Sequence, residues 1–191
     1  MTVYFTSDLH LGHEDVLAFA QRPWSSIEEH DSAIIDNINA TVGDGDELYI
    51  LGDFTFCMDE GAVRAYLDAI ACRNRWLIIG NHDNARALFE PGAFVEACQY
   101  KELDIEGCLC CLSHYPIEDW GMSRQRFDDE DGVWASIMLH GHIHSCKQAI
   151  NGDNARAGIW RYDVGVDANG YRPVSFEEIC DFIAARDPSF P

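Results

Sequence analysis

Three apolar runs in the first half of the chain each stop abruptly at a polar cluster. "TVYFTSDLH" ends in Asp8-Leu9-His10, "ELYILGD" in Gly52-Asp53, and "RWLIIGNHD" in Gly80-Asn81-His82-Asp83. Runs this short and this apolar read as strands, the first apolar enough to be buried. The segments between them have helical spacing. "SSIEEHDSAIIDNINATV" offers Ser26 as N-cap with Glu29 at the capping-box position, then Ile27, Ile34, Ile35 and Ile38 on one face. A second helix is predicted over Glu60 to Ala71. Strand alternating with helix predicts an α/β fold with crossover connections.

The second half changes character. "YKELDIEGCLCCLS" predicts a hairpin turning at Glu106-Gly107, "SIMLH" a short strand and "GIWRYDVGV" another, followed by a turn at Asn169-Gly170. A last helix is predicted to start at Ser175, with Glu178 completing a second capping box. The acidic "RFDDEDGVW" reads as a solvated loop. A length of 191 residues suits one core, so residues 1–191 are expected to form a single domain.

Composition narrows the functional classes. No run of about 18 apolar residues is present to span a bilayer. "MTVYFTSDLH" lacks the basic start of a signal peptide, so a cytoplasmic location is expected. The eight cysteines are expected to be reduced, buried hydrophobes, with Cys108 and Cys110 on one strand face and Cys111 on the other. Acidic residues number 33 against 13 basic ones, a formal charge of -20, and Lys101 and Lys147 are the only lysines. Stable nucleic-acid binding needs clustered cations, so it is not expected here. A bound metal would still reverse the sign of the field locally.

Ligands of α/β sheets bind beyond the carboxyl ends of the strands, and polar residues collect there. Asp8 and His10 follow the first strand, Asp53 the second, Asn81 and His82 the third. The hairpin adds His114 in "LSHYPI", and the next strand adds His142 and His144, spaced two apart as Asp8 and His10 are. One aspartate after a strand is usually a turn or cap residue, and one histidine a hydrogen-bonded packing group. Five successive strand ends of this kind have instead the composition of a binuclear site for divalent metals, with nitrogen and oxygen ligands and no thiolate.

The ordered series D-x-H (Asp8-Leu9-His10), G-D (Gly52-Asp53), G-N-H-D (Gly80 to Asp83), His114 and G-H-x-H (Gly141 to His144) resembles the calcineurin-like metallophosphoesterase superfamily, over residues 8 to 144 of 191. "SDLHLGHEDVL", "RPW" and "DVGVDANGYRPVSFEEI" are similar to its short bacterial and phage members. The resemblance implies an α/β/β/α sandwich of two mixed sheets flanked by helices. It implies a metal-dependent phosphoric ester hydrolase acting on a small phosphate ester, phosphodiesters favoured over monoesters. One divalent ion would be held by Asp8, His10, Asp53 and His144, the second by Asp53, Asn81, His114 and His142, with Asp53 bridging and a metal-bridging hydroxide as nucleophile. Manganese is the first expectation, and iron, zinc, cobalt or nickel also suit such ligands.

His82 would then protonate the leaving oxygen, with Asp83 fixing its tautomer, in preference to capping a helix that begins near Asn84. His13 and Arg22 are candidates for substrate contact, and Arg161 and Arg172 are further candidates for gripping phosphate. His140 is expected to be buried or behind the ligands, and His30, on a helix, to have no role. The alternative is a catalytically silent scaffold for protein interaction, which would have lost ligands that are all present here. A nuclease would need a basic track, which is missing.

Overall fold

The computed structural model describes residues 1–123 and 134–191; the predicted acidic loop lies outside these apart from Trp134. From the N-terminus the elements are β1 (Val3–Thr6), α1 (Val16–Phe19), α2 (Ile27–Thr41), β2 (Glu47–Ile50), α3 (Glu60–Ala69), β3 (Arg75–Ile78), a 3-10 turn (Arg86–Phe89) and β4 (Ala97–Cys98). They continue with β5 (Tyr100–Ile105), β6 (Cys108–Ser113), β7 (Ala135–His140), α4 (Ala149–Arg156), β8 (Arg161–Asp163), β9 (Val174–Ser175) and α5 (Phe176–Ala184). The result is a mixed α/β fold of two mixed sheets flanked by helices. One sheet has the order β4-β3-β2-β1-β9, parallel except for β9, and the other has the order β5-β6-β7-β8, parallel except for β5. Among the described residues no helix is long and apolar enough to cross a membrane.

The first three strands read as unbroken apolar runs because each of their faces has its own core. Leu48, Ile50 and Leu77 point to the helices and meet Ile34, Ile35 and Ile38 of α2 and Val63 and Leu67 of α3. Phe5, Tyr49 and Ile78 point the other way, to Cys108, Cys110, Leu112, Ile137 and Leu139 of the second sheet. Period-two alternation is therefore present, but both alternating sets are apolar. Cys111 is buried on the face opposite Cys108 and Cys110, as the strand period requires. All eight cysteines are unpaired, but they are not uniformly buried, since Cys146 is exposed and Cys57, Cys98 and Cys180 are half-buried.

The hairpin turns at Glu106 and Gly107, with φ of 54° and 84°, the two left-handed residues that a two-residue turn between twisted strands demands. Helix α4 was not signalled by "AINGDNAR", which is poor in helix formers. Tertiary bonds impose it. Asn151 exchanges both of its amide bonds with the backbone of Asp163, and Asn154 donates to the Arg161 carbonyl.

The two predicted capping boxes differ. At α5 the Ser175 hydroxyl accepts from the Glu178 amide while the Glu178 carboxylate accepts from the Ser175 amide. At α2 Ser26 accepts from the Glu29 amide, but the Glu29 carboxylate turns to Ser25 instead. Ser175→Ala is expected to lower the unfolding free energy by about 1 kcal/mol and Ser26→Ala by roughly half that, read from urea unfolding midpoints. Equal losses would show that the reciprocal bond adds nothing at α5.

Candidate metal centre

Both sheets present the carboxyl ends of their parallel strands at the same end of the molecule, and the seven residues singled out from the sequence come together there. The Asp53 Oδ2 lies 3.5 Å from His10 Nε2 and 3.4 Å from His114 Nε2, between the two rings. His114 Nε2 is also 3.0 Å from Asn81 Oδ1, and His144 Nε2 is 4.0 Å from Asp8 Oδ1. The His142 ring stands 5.0 Å from that of His114. Ligand atoms of Asp8, His10 and His144 form one group that could hold a metal ion, and those of Asp8, Asp53 and His114 form another. Asp8, His10, Asp53 and His114 make a buried back wall, whereas Asn81 and His142 are exposed at its mouth.

The local backbone is unusual in a consistent way. Asp8, His10, Asp53, His142 and His144 all have left-handed φ, between 46° and 72°, although none is glycine. Such conformations cost on the order of 1 kcal/mol or more each and persist only where surrounding bonds fix them. Those bonds are present. The His142 amide donates to both Asp8 carboxylate oxygens, and the His10 amide donates to the Asp53 carbonyl. Two glycines make the room. A Cβ on Gly52, itself at φ 92°, would collide with the His114 ring, and one on Gly141 would collide with Ser7 and the Asp8 carboxylate.

A second layer orients the rings. His114 Nδ1 meets the Leu51 carbonyl at 2.8 Å and His144 Nδ1 meets Asp167 Oδ2 at 2.7 Å, which turns each Nε2 toward the cluster. His10 Nδ1 pairs with His13 Nδ1 at 3.0 Å. His10 Nε2, by contrast, is buried with no hydrogen-bond partner. An orphaned imidazole nitrogen facing a shared carboxylate oxygen is what a metal ligand looks like, so these residues fit a divalent ion.

Charge is arranged to match. Burial holds the His10 imidazole neutral, lowered to about 2, in the form a ligand needs. Burial would raise Asp53, but hydrogen bonding from His114 and the His82 amide outweighs it and brings Asp53 to about 2. His114 is raised despite its burial, because Asp53 and Asp8 favour positive charge on it. Asp8 is raised to about 7, chiefly by burial.

The structure revises several residue roles. Asp83 does not hold the His82 ring. Its buried carboxylate accepts from the amides of Asp53 (2.9 Å), Phe54 (2.8 Å) and Gly80 (2.8 Å), joining the loop after β2 to the loop after β3. His82 donates its amide to Asp53 Oδ1, and its ring lies 5.3 Å from that of His10. It caps no helix, since the nearby 3-10 turn has Ala85 at its cap and no side-chain cap bond. His13 reaches the centre, stacked on Phe56.

Arg22 is not free to touch a substrate. It is buried behind the centre, where its guanidinium donates to the Asp8 and Leu9 carbonyls and to both oxygens of Asp167, and also meets His30. His30 is thereby a buried member of the support and not an idle helix residue. Arg172 pairs with Glu178, and Arg161 donates to the Ile117 carbonyl. His140 is buried, its Nδ1 against the Gly141 carbonyl. Asp167 and Asp163 went unremarked in the sequence. The signal is in "RYDVGVD", where β8 runs out into aspartates, and Asp163 anchors the loop that carries His144 through Ser145.

No family model matches the chain. A Gene 66 protein of Mycobacterium phage D29 is 31% identical over 167 residues, 75% of this chain and 78% of the phage protein. The Gene 66 protein of Mycobacterium phage L5 is 30% identical, over 94% of this chain and 93% of its own length. The chain belongs to the Gene 66 protein family. An uncharacterized protein of Methanocaldococcus jannaschii, MJ1445, is 28% identical over 95% of this chain and 90% of its own. The crystal structure of AQ665, a protein of unknown function from Aquifex aeolicus, superposes with a TM-score of 0.70 at 26% identity, covering 94% of this chain and 98% of that one.

In this Gene 66 family member the buried Asp8 yields a test of the site's electrostatics. Its folded-state pKa, about 7, is above the ordinary 3.8, so the folded chain binds more protons than the unfolded chain between those values. The resulting stability is fully present below the lower value and is lost as pH rises through the upper one. After exhaustive chelation, the thermal midpoint of the native protein is therefore expected to fall more steeply from about pH 4 to about pH 7 than that of Asp8→Asn. Parallel slopes in calorimetry would show that burial does not hold this proton.

Proposed function

We propose that the chain is a metal-dependent phosphoric ester hydrolase of the calcineurin-like metallophosphoesterase type, with phosphodiesters favoured over monoesters. The position of Asp53 Oδ2 between the buried His10 and His114 rings, at 3.5 and 3.4 Å, carries this reading. The two facing sheets with flanking helices support it, being compatible with the α/β/β/α sandwich of that type. Asp8, His10, Asp53 and His144 would hold one divalent ion and Asp53, Asn81, His114 and His142 the other, manganese being the first choice among ions that suit nitrogen and oxygen ligands. Divalent ions bound there would supply positive charge for the phosphate and water activated at neutral pH.

The chain's own residues do the rest. Asp83 fixes Asp53 by bonding its amide, and Asp53 in turn fixes His82 by accepting the His82 amide. The half-buried His82 ring, anchored beside His10, is placed to deliver a proton to the departing oxygen. Arg22 bonds inward, so it contributes no cation to a dianionic monoester. A monoanionic diester needs less such help, which favours diesters.

The test is hydrolysis of bis(4-nitrophenyl) phosphate and 4-nitrophenyl phosphate by chelated protein refilled with manganese, beside Asp53→Asn treated in the same way. Diester turnover is expected to require metal and to drop by about a hundredfold or more in the variant, because a bridging ligand is lost. Native protein that takes up two ions per chain and cleaves neither ester would sink the reading.

A further inference from the structure

The candidate centre is rimmed by aromatic side chains that belong to neither core. Phe19 is 55% exposed, Phe56 47% and Tyr115 48%. A lone exposed aromatic needs no explanation, but all three of these lean on histidine rings of the centre. Phe19 meets the His10 and His144 rings edge-on, with centroids at 6.0 and 5.3 Å. Phe56 lies 5.1 Å from the His82 ring and stacks on His13 at 4.1 Å with an interplanar angle of 15°. His13 is in turn 5.6 Å from Phe19, so Phe19, His13 and Phe56 form one continuous wall beside His82. Tyr115 stands by the other pair, 4.7 Å from His142 and 5.0 Å from His114.

We propose that Phe19 and Phe56 form a stacking platform for the departing half of the substrate, and that the chain selects phosphodiesters whose leaving group carries a planar ring, as an aryl or a nucleoside ester does. The inference rests on the hydrolase reading, since it takes the leaving group to lie on the His82 side. Apolar area kept in water beside a polar centre is costly unless a ligand covers it. A flat ring covers it best, because aromatic faces stack on any planar system without demanding a hydrogen-bond pattern. Among the described residues, the Arg22 guanidinium behind the centre is bonded inward, and the ring faces at the mouth are what remain to supply a grip.

Phe19→Leu, Phe56→Leu and the double variant keep apolar bulk but lose the flat face. The quantity to read is the ratio of kcat/KM for ethyl 4-nitrophenyl phosphate to that for bis(trifluoroethyl) phosphate, each relative to native protein, so that the leaving groups' own reactivity cancels. That ratio is expected to fall about tenfold in each single variant, mainly through KM. Calorimetric binding to metal-loaded protein gives a readout without turnover. Adenosine monophosphate is expected to bind about tenfold more tightly than ribose 5-phosphate, and the double variant to lose the advantage. The same comparison of 4-nitrophenyl phosphate with methyl phosphate tells a nucleoside from an aryl preference, and a ring advantage in either pair supports the platform.

An unmoved rate ratio, with neither ring-bearing phosphate binding better than its ringless counterpart, would overturn the platform and leave the hydrolase standing. Ring-dependent binding with no turnover of any ester would overturn the hydrolase reading and leave Phe19 and Phe56 as a ring-binding surface.

Discussion

Left-handed backbone at the strand ends is the constraint on which the candidate centre depends. A chain leaving a parallel sheet must change direction within one or two residues if neighbouring loops are to bring their side chains to a single point. Glycine does this at little cost, but glycine has no ligand to offer. Here the residue that turns and the residue that carries the donor atom coincide at Asp8, His10, Asp53, His142 and His144. The loops then restrain one another. His142 donates to Asp8, His10 to the Asp53 carbonyl, and Asp83 gathers the amides of Asp53, Phe54 and Gly80. Strain that no single loop could hold is held by their mutual hydrogen bonds, so the centre is pre-organised by the fold.

The same compaction creates an electrostatic imbalance. Two buried carboxyls, Asp8 and Asp53, share one cluster with the buried rings of His10 and His114. Asp53 resolves its charge against His114, and Asp8 keeps a proton up to about pH 7 because burial penalises its anion. A cluster whose carboxyls must either pair with an imidazolium or hold a proton is one that a multivalent cation would neutralise more fully than a proton does. The formal charge of -20 on the whole chain gives no hint of this, since the property belongs to four buried side chains and not to the surface.

What could be read from the sequence was what is local along the chain. Strands β1, β2 and β3 were legible because residues such as Leu48 and Tyr49 feed different cores and so leave no polar position to break the run, whereas the two-residue β4 and β9 are too short to leave a pattern. The seven candidate ligands were legible because each follows an apolar strand directly. Asp83 was misassigned for the opposite reason: adjacency suggested His82 as its partner, whereas two of its three donors lie about thirty residues away. Arg22 looked available because a surface arginine usually is, and only the fold reveals Asp167, 145 residues distant, beneath it. Helix α4 formed against its own propensities because Asn151 and Asn154 had backbone partners in β8 that no local rule could supply.

The buried support behind the centre draws its arginine away from a rim that carries both aromatic and polar side chains. From His144 the bonds run to Asp167, then Arg22, then His30 and Asp31, and Asp31 accepts from the Gly12 amide and the Tyr66 hydroxyl. This network ties the loop after β1 to helices α2 and α3, and it uses the guanidinium for positioning because a planar fork with fixed donors holds two carbonyls and a carboxylate at once. A cation committed inward cannot also reach outward. Among the described residues, what the neighbouring loops present at the mouth is the faces of Phe19, Phe56 and Tyr115 and the exposed edges of Asn81 and His142. Positioning from behind and contact from in front are thus divided between polar and aromatic side chains, and the division follows from where the one buried arginine of this network is needed.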